Sequence, residues 1–349
     1  MSGKKIFYVV STGDVLSGGV SSLHHLCKAL IDNGFNSEMY YVRANEDLIQ
    51  QKFQPRFKVP RCNEIVDNEN NVIIVPEILP FIFEDYPKSA RIVYWLSLQF
   101  FFRNGFAYQW PMNIKLVRKL FYLKDFNALK PGLIGTFKQK ILFKAVSGSN
   151  AWNPEIIHLT NSFYTATFCK RMGVEKVNII YNPILEEIFS VPKREKKNQI
   201  LVGAKTSKLL IFLLKKYCSG FRIIVLKGLP LSRVYELMAE SLIFAEFGIS
   251  NRDRTPREAA ILGCIVFTSN SGSAFYNEDV PIPAFYKINQ HVFNFIKIVR
   301  RILHSATNYE IMKHDFEPYR KLITDEANTF TLRVGNLFLE ILVKGFNRF

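Results

Sequence analysis

The chain has 349 residues, 48% of them hydrophobic, with 31 Phe and 15 Tyr, which excludes a disordered or fibrous protein and supplies apolar material for two cores. Its 46 Lys+Arg against 30 Asp+Glu give a formal net charge of +16, an excess that favours polyanions: nucleotides, nucleic acid or an anionic membrane surface. Five scattered Cys with no C-x-x-C pair, and six His at no ligand spacing, exclude a disulfide framework and a zinc centre and fit a reducing compartment.

The first element, "KIFYVV" (5–10), reads as a strand, because its short apolar run ends in a Gly-containing turn and not in a secretory cleavage site. "SGGVSSLHHLCKALIDNG" then places Leu23, Leu26, Leu30 and Ile31 at helical spacing and stops at Gly34. Further strands are expected at 38–42, 71–77, 91–97, 156–162 and 177–183. Near-continuous apolar strands separated by helices point to a parallel sheet covered on both faces. The charged, Pro-containing "VPKREKKNQ" (191–199) reads as a linker. The pattern restarts beyond it, with strands at 200–204, 221–228, 242–248 and 264–269 and helices near 207–217 and 231–240. A helical tail runs from about Glu326 to Phe349. The chain therefore reads as α/β, with two doubly wound, Rossmann-like domains facing a cleft that would hold the ligand. The first spans 1–190 and the second 198–325, and the helix 326–349 would pack back on the first. No run approaches the roughly 18–20 apolar residues that cross a bilayer, so a cytoplasmic protein is expected, soluble or peripheral on the inner face of the membrane.

The stretch "FGISNRDRTPREAAILGC" (247–264) concentrates charge where a strand hands over to a helix. Thr255, Pro256 and Glu258 match a helix start in which Thr255 is the N-cap, Pro256 the first helical residue and Glu258 the reciprocal partner of a capping box. That pattern leaves Arg252, Arg254 and Arg257 unexplained. A helix N-terminus offers free N–H groups and partial positive charge, and guanidinium groups match phosphate oxygens in pairs, so the arginines predict an anion site.

From "FG" through the charged loop to "PREAAILGCIVFTSNSGSAF", this segment resembles the donor-binding half of GT-B glycosyltransferases, and most closely the bacterial relatives of the retaining family-four enzymes. "SGGVSSLHHLCKALIDNGF" resembles the family's first glycine turn and helix, and "LTNSFYTATFCKRMGVEKVNIIYNPI" the segment that closes its first domain. The resemblance implies that Glu258 holds the ribose hydroxyls of a UDP- or GDP-linked sugar. It places the diphosphate by the helix start, with Arg254, Thr255 and Arg257, and by the turn Ser271-Gly272-Ser273. It implies Lys205 as a phosphate-binding base, with Lys208 as second candidate, and sets Gly18 and Gly19 toward the cleft. Arg254, Lys205 and Glu258 are thus the candidates for catalysis, which here consists of positioning the donor and stabilising the departing diphosphate. The chain departs from the family where an acid is usual eight positions before Glu258: Ser250 stands there, and the nearest acid is Glu246.

A base toward the acceptor would come from Glu77, His24 or His25, each of which also fits a structural role. Residues 101–144 hold nine Lys/Arg, one acid and ten aromatics, and "MNIKLVRKLFYLK" (112–124) has the basic amphipathic pattern of a helix lying on an anionic membrane, or of an ordinary surface helix in a basic protein. The expected activity is transfer of a sugar from a nucleotide-diphosphate donor to a saccharide or lipid-linked saccharide acceptor of bacterial surface glycan, lipopolysaccharide or capsule. It would retain anomeric configuration and use no metal and no cofactor. The alternatives are a nucleotide-sugar epimerase of the same fold, a non-catalytic basic binder of nucleic acid or membrane, and a transferase kept as a scaffold. Dispersed charge without a nucleic-acid-binding signature argues against nucleic acid.

Overall fold

A computed structural model describes residues 5–15, 17–97, 156–171, 173–174, 177–204, 206–247 and 253–345. The basic segment 112–124, Lys205, Ser250 and Arg252 lie outside the described residues. The chain divides into two compact units, Met1–Pro183 with Asn328–Phe349, and Ile184–Ala327.

The first unit is built on a parallel seven-stranded sheet: β1 (Ile6–Gly13), β2 (Asn36–Ala44), β3 (Arg61–Cys62), β4 (Val72–Pro76), β5 (Ala90–Trp95), β6 (Ile157–Thr160) and β7 (Val177–Ile179). Its spatial order, β3-β2-β1-β4-β5-β6-β7, reverses direction between β1 and β4 as a Rossmann sheet does. Central strands are buried end to end, "VIIVP" of β4 without one exposed residue, because helices cover both faces. Numbering only helices of eight or more residues, α1 (Gly18–Asp32) follows β1 and α2 (Phe163–Arg171) follows β6. Leu23, Leu26 and Leu30 of α1 enter the core with Phe7 and Val9 of β1.

The second unit has a four-stranded parallel sheet of β8 (Lys197–Gly203), β9 (Arg222–Leu226), β10 (Ser241–Glu246) and β11 (Ile265–Thr268), in the order β11-β10-β8-β9. Its direction reverses between β8 and β10, the point at which a doubly wound sheet places its ligand, outside the carboxyl ends of the strands. The helices are α3 (Lys208–Tyr217), α4 (Leu231–Glu240), α5 (Arg254–Ile261), α6 (Phe295–Thr307) and α7 (Glu317–Lys344). Helix α7 begins nine residues before the expected tail. Its first part lies within the second unit. From Asn328 onward it belongs to the first, where Phe330, Val334, Phe338 and Ile341 are buried with α1 and β1.

Lys196 illustrates how a polar group is used as a rivet in the second unit. Its ammonium donates to the carbonyls of Met238, Ser241 and Leu262 at 3.2, 2.8 and 2.8 Å, satisfying acceptors at the ends of α4 and α5 and at the start of β10. All five cysteines are free, and four are buried. Burial pushes the Cys27 and Cys218 thiols up to about 12 and about 11, so neither is a ready nucleophile. Among the described residues, no helix is long and apolar enough to cross a membrane.

Candidate functional site

Helix α5 begins two residues earlier than its sequence pattern suggests. Asp253 is the N-cap, with extended backbone at φ −64° and ψ 140° and no side-chain capping bond, and Arg254 is the first helical residue. Pro256 tolerates this third position because the first-turn N–H groups have no helical acceptor and no carbonyl lies one turn back for the ring to strike. The capping box expected from Thr255 and Glu258 therefore does not form. Thr255 is inside the helix, half-buried, and Glu258 faces other partners.

The earlier start has a chemical effect. It puts Arg254 one turn from Glu258 on the same helix face. Arg254 Nε donates to Glu258 Oε1 at 2.8 Å, and Tyr235 Oη on α4 donates to the same oxygen at 2.9 Å. Helix α4 packs against α5, which is what brings Tyr235 to this carboxylate. Glu258 is 1% exposed while the Arg254 side chain is 35% exposed, so the pair runs from the interior to the surface. Burial raises the Glu258 pKa, with Arg254, Tyr235 and Arg257 opposing that rise and the nearby Glu187 adding to it. Burial also raises the Tyr235 phenol, and the Glu258 charge adds to this, so the tyrosine remains a donor.

Arg257 takes a different course from the one expected for it. Its guanidinium turns to Glu326 on α7, Nη2 to Oε2 at 2.7 Å, and the two side chains are 4% and 1% exposed. It is held in a buried ion pair, while its charge also acts on Glu258. Arg320 of α7 adds a second tie, donating from Nε to the Ala260 carbonyl at 2.8 Å near the end of α5.

The rest of the carboxyl edge is polar and small. Gly272 has φ +60°, a conformation glycine adopts at no steric cost, and opens the turn Gly272–Phe275 after β11. Ser273 in that turn is buried, and its hydroxyl has no hydrogen-bond partner among the described residues. Glu246, the last residue of β10, lies across Gly203, the last of β8: a Cβ there would stand 2.8 Å from Glu246 Oε1. Gly203 thus makes room for a carboxylate at the point where the strand order reverses. Lys208 is the first residue of α3 and is exposed.

In the first unit, Gly18 and Gly19 open α1 behind the N-cap Ser17, whose hydroxyl accepts from Val20 N at 3.2 Å. A Cβ on Gly18 would meet nothing within 4 Å and one on Gly19 would make ordinary contacts with Leu96 at 3.7 Å and Ser17 Oγ at 3.9 Å, so neither glycine is demanded by packing.

The candidate bases are engaged in structure. His24 is fully buried, stacked on Phe53 at 4.4 Å between ring centres. Its Nδ1 donates to the Val20 carbonyl at 2.7 Å, which leaves Nε2 to accept from Tyr41 Oη at 2.7 Å. Burial lowers its pKa to about 4, so it is a neutral structural imidazole. His25, next to it on α1, sits edge-on to Phe57 of the short turn Gln54–Phe57. Glu77, just past β4, is 2% exposed and accepts the backbone N–H groups of Leu96 and Ser97 at 2.8 and 2.9 Å, fixing the chain as it leaves β5.

Burial raises Glu77 to about 7 despite those bonds. The folded chain then holds a proton that the unfolded chain releases near the ordinary value of 4.5. This contribution to stability is complete below that value and is lost as the pH rises to about 7. Glu77→Gln is expected to flatten that stretch of a melting temperature versus pH curve; equal slopes in the two proteins would refute the assignment.

Among the described residues, no group of three or more His, Cys, Asp or Glu could hold a metal ion. Tyr235 and Glu326 carry no motif in the sequence, since their roles come from partners 23 and 69 residues away.

No family model matches the chain, and no curated protein is similar to it in sequence. Solved structures are similar over nearly its whole length. A glycosyltransferase from Rickettsia africae aligns with TM-score 0.58 and 11% identity, covering 99% of this chain and 100% of its own. HepE of Anabaena, in complex with UDP, aligns with TM-score 0.59 and 12% identity over 98% and 100%. The lipopolysaccharide outer core galactosyltransferase WaaB aligns with TM-score 0.53 and 10% identity over 94% and 99%. At these identities the likeness is one of architecture, and with the two parallel sheets it shows that the chain has the GT-B fold, with two Rossmann-like units.

Proposed function

We propose that the chain is a glycosyltransferase whose second unit binds a nucleotide-diphosphate sugar at the carboxyl ends of β8, β10 and β11. The observation that carries this reading is Glu258: a buried carboxylate in the second turn of α5 whose two bonds both fall on Oε1. Oε2 would accept from the ribose hydroxyls, with Tyr235 and Arg254 fixing the carboxylate rotamer. Arg254, the N-terminal amides of α5 and Lys205 would neutralise the diphosphate as it departs, and the Gly272-Ser273 turn would let backbone N–H groups approach its oxygens. With that charge supplied by the protein, the transfer would need no divalent cation. Arg257 would fix α5 through Glu326 and add its charge near Glu258.

UDP is the first nucleotide to test, because HepE is seen with UDP and with UDP-glucose. The acceptor would be a saccharide or lipid-linked saccharide, as for the lipopolysaccharide enzyme WaaB, and the family resemblance implies retention of anomeric configuration. Calorimetric titration with UDP, GDP and CMP should give clear binding of one diphosphate. Glu258→Gln and Arg254→Ala should each weaken it at least tenfold, and chelation of divalent ions should leave it unchanged. Because the Glu258 carboxyl titrates above the ordinary glutamate range, affinity should begin to fall at a higher pH than for an exposed glutamate. That acid limb should vanish in Glu258→Gln. No binding of any nucleotide by the folded protein would remove the proposal.

A further inference from the structure

Helices α3 and α6 of the second unit pack side by side, with Leu210 and Leu214 of one and Ile298 and Ile302 of the other turned into the core. A surface helix ordinarily presents a polar face outward. Here the outward face of α3 carries Leu209 and Phe212, 48% and 58% exposed, among the exposed Lys208, Lys215 and Lys216. The outward face of α6 and the turn leading into it carry Phe293 and Ile296, 98% and 48% exposed, beside Lys297 and Arg300. Ser207 N donates to Gln290 Oε1 at 2.9 Å, tying the start of α3 to the turn before α6 and bringing the two sets together. Neither 208–217 nor 287–307 contains an Asp or Glu.

A single exposed Phe is ordinary; several large apolar side chains alternating with cations, without one acid, form a surface with two complementary requirements. We propose that this face docks the second unit on an anionic lipid bilayer. Phe293, Ile296, Phe212 and Leu209 enter the boundary between headgroups and acyl chains, and the lysines and Arg300 meet lipid phosphates. The apolar residues decide between occupants. Leu and Ile offer no stacking platform to a nucleic-acid base, whereas a bilayer accepts both the aliphatic side chains and the ammonium groups around them. The inference does not rest on nucleotide binding, and it assigns membrane contact to residues other than 112–124.

The test is co-flotation of the full chain with phosphatidylcholine vesicles, with and without phosphatidylglycerol, and with a single-stranded RNA as competitor. The chain should float only with the anionic vesicles, and less so at high salt. Lys215→Gln/Lys216→Gln should weaken binding about 25-fold, from roughly fivefold per charge near the surface. Phe293→Ser/Ile296→Ser should abolish flotation at low micromolar lipid, while Lys115→Gln/Lys119→Gln should leave it unchanged. Melting temperature serves as the fold control. Binding retained in both patch variants, equal flotation on neutral vesicles, or loss in these variants of RNA binding or self-association but not of flotation would each overturn the proposal.

Discussion

Arg257→Met is expected to destabilise the second unit by about 3–5 kcal/mol, among the largest effects a single substitution in this chain can have. Arg257 and Glu326 are both nearly inaccessible and meet at 2.7 Å, so removing the guanidinium takes a buried carboxylate out of its ion pair. Glu326→Leu should cost a similar amount by leaving the arginine in the same position. The double variant Arg257→Met/Glu326→Leu should recover most of the loss, because replacing a buried ion pair with apolar groups of similar size removes the desolvation of both charges. Thermal unfolding reads the difference directly; at roughly 2–4 °C per kcal/mol for a unit of this size, each single variant should melt about 10 °C lower. Single variants within 2 °C of the parent, or a double variant no better than either single, would show that the pair is not what holds α5 against α7.

Gly335→Ala should also be costly, against the preference of a helix interior for alanine. Gly335 lies within α7, where alanine would ordinarily gain about 1 kcal/mol. An added Cβ would stand 2.0 Å from Asn33 Oδ1 and 2.5 Å from its Cγ, overlaps that force the asparagine away. Asn33 cannot leave without loss: its Nδ2 donates to the carbonyls of Ala29 at 2.7 Å and Thr331 at 2.8 Å, joining the end of α1 to α7. Breaking both bonds should outweigh the helix preference and leave a net loss of about 2 kcal/mol. Adding Asn33→Gly to the alanine variant removes the clash and should restore part of it. A Gly335→Ala protein as stable as the parent would mean that the close approach of the two helices is not required.

The strands were legible because their burial is local. "NVIIVPE" and "ILVGA" are apolar over consecutive residues whatever packs on them, and the structure places β4 and β8 there with ends shifted by a few residues. Boundaries set by competition were less legible. Two acceptable starts for α5 lie two residues apart, and the sequence pattern around Pro256 favours the one the chain does not use. Helix α7 begins earlier than its apolar pattern suggests because the turn Lys313–Phe316 runs directly into it. Of the site, the concentration of charge at 252–258 was visible, while its division was not. Arg254 serves Glu258 within α5 and Arg257 serves Glu326 on α7, a distinction made by a partner 69 residues away.

The order in which the chain is made gives the assignment of α7 a further meaning. The first unit takes its last buried residues, Phe330 to Ile341, from the far side of the second unit. Its nascent core must wait until Ile184–Ala327 has been synthesised, on the order of ten seconds at about 5–20 residues per second. For that interval Phe7, Leu26 and Leu30 lack the residues of α7 that complete their core. The second unit already has all of its own strands when α7 emerges. The second unit therefore has all its buried residues, Phe316, Tyr319 and Ile323 included, before the first unit receives Phe330 to Ile341.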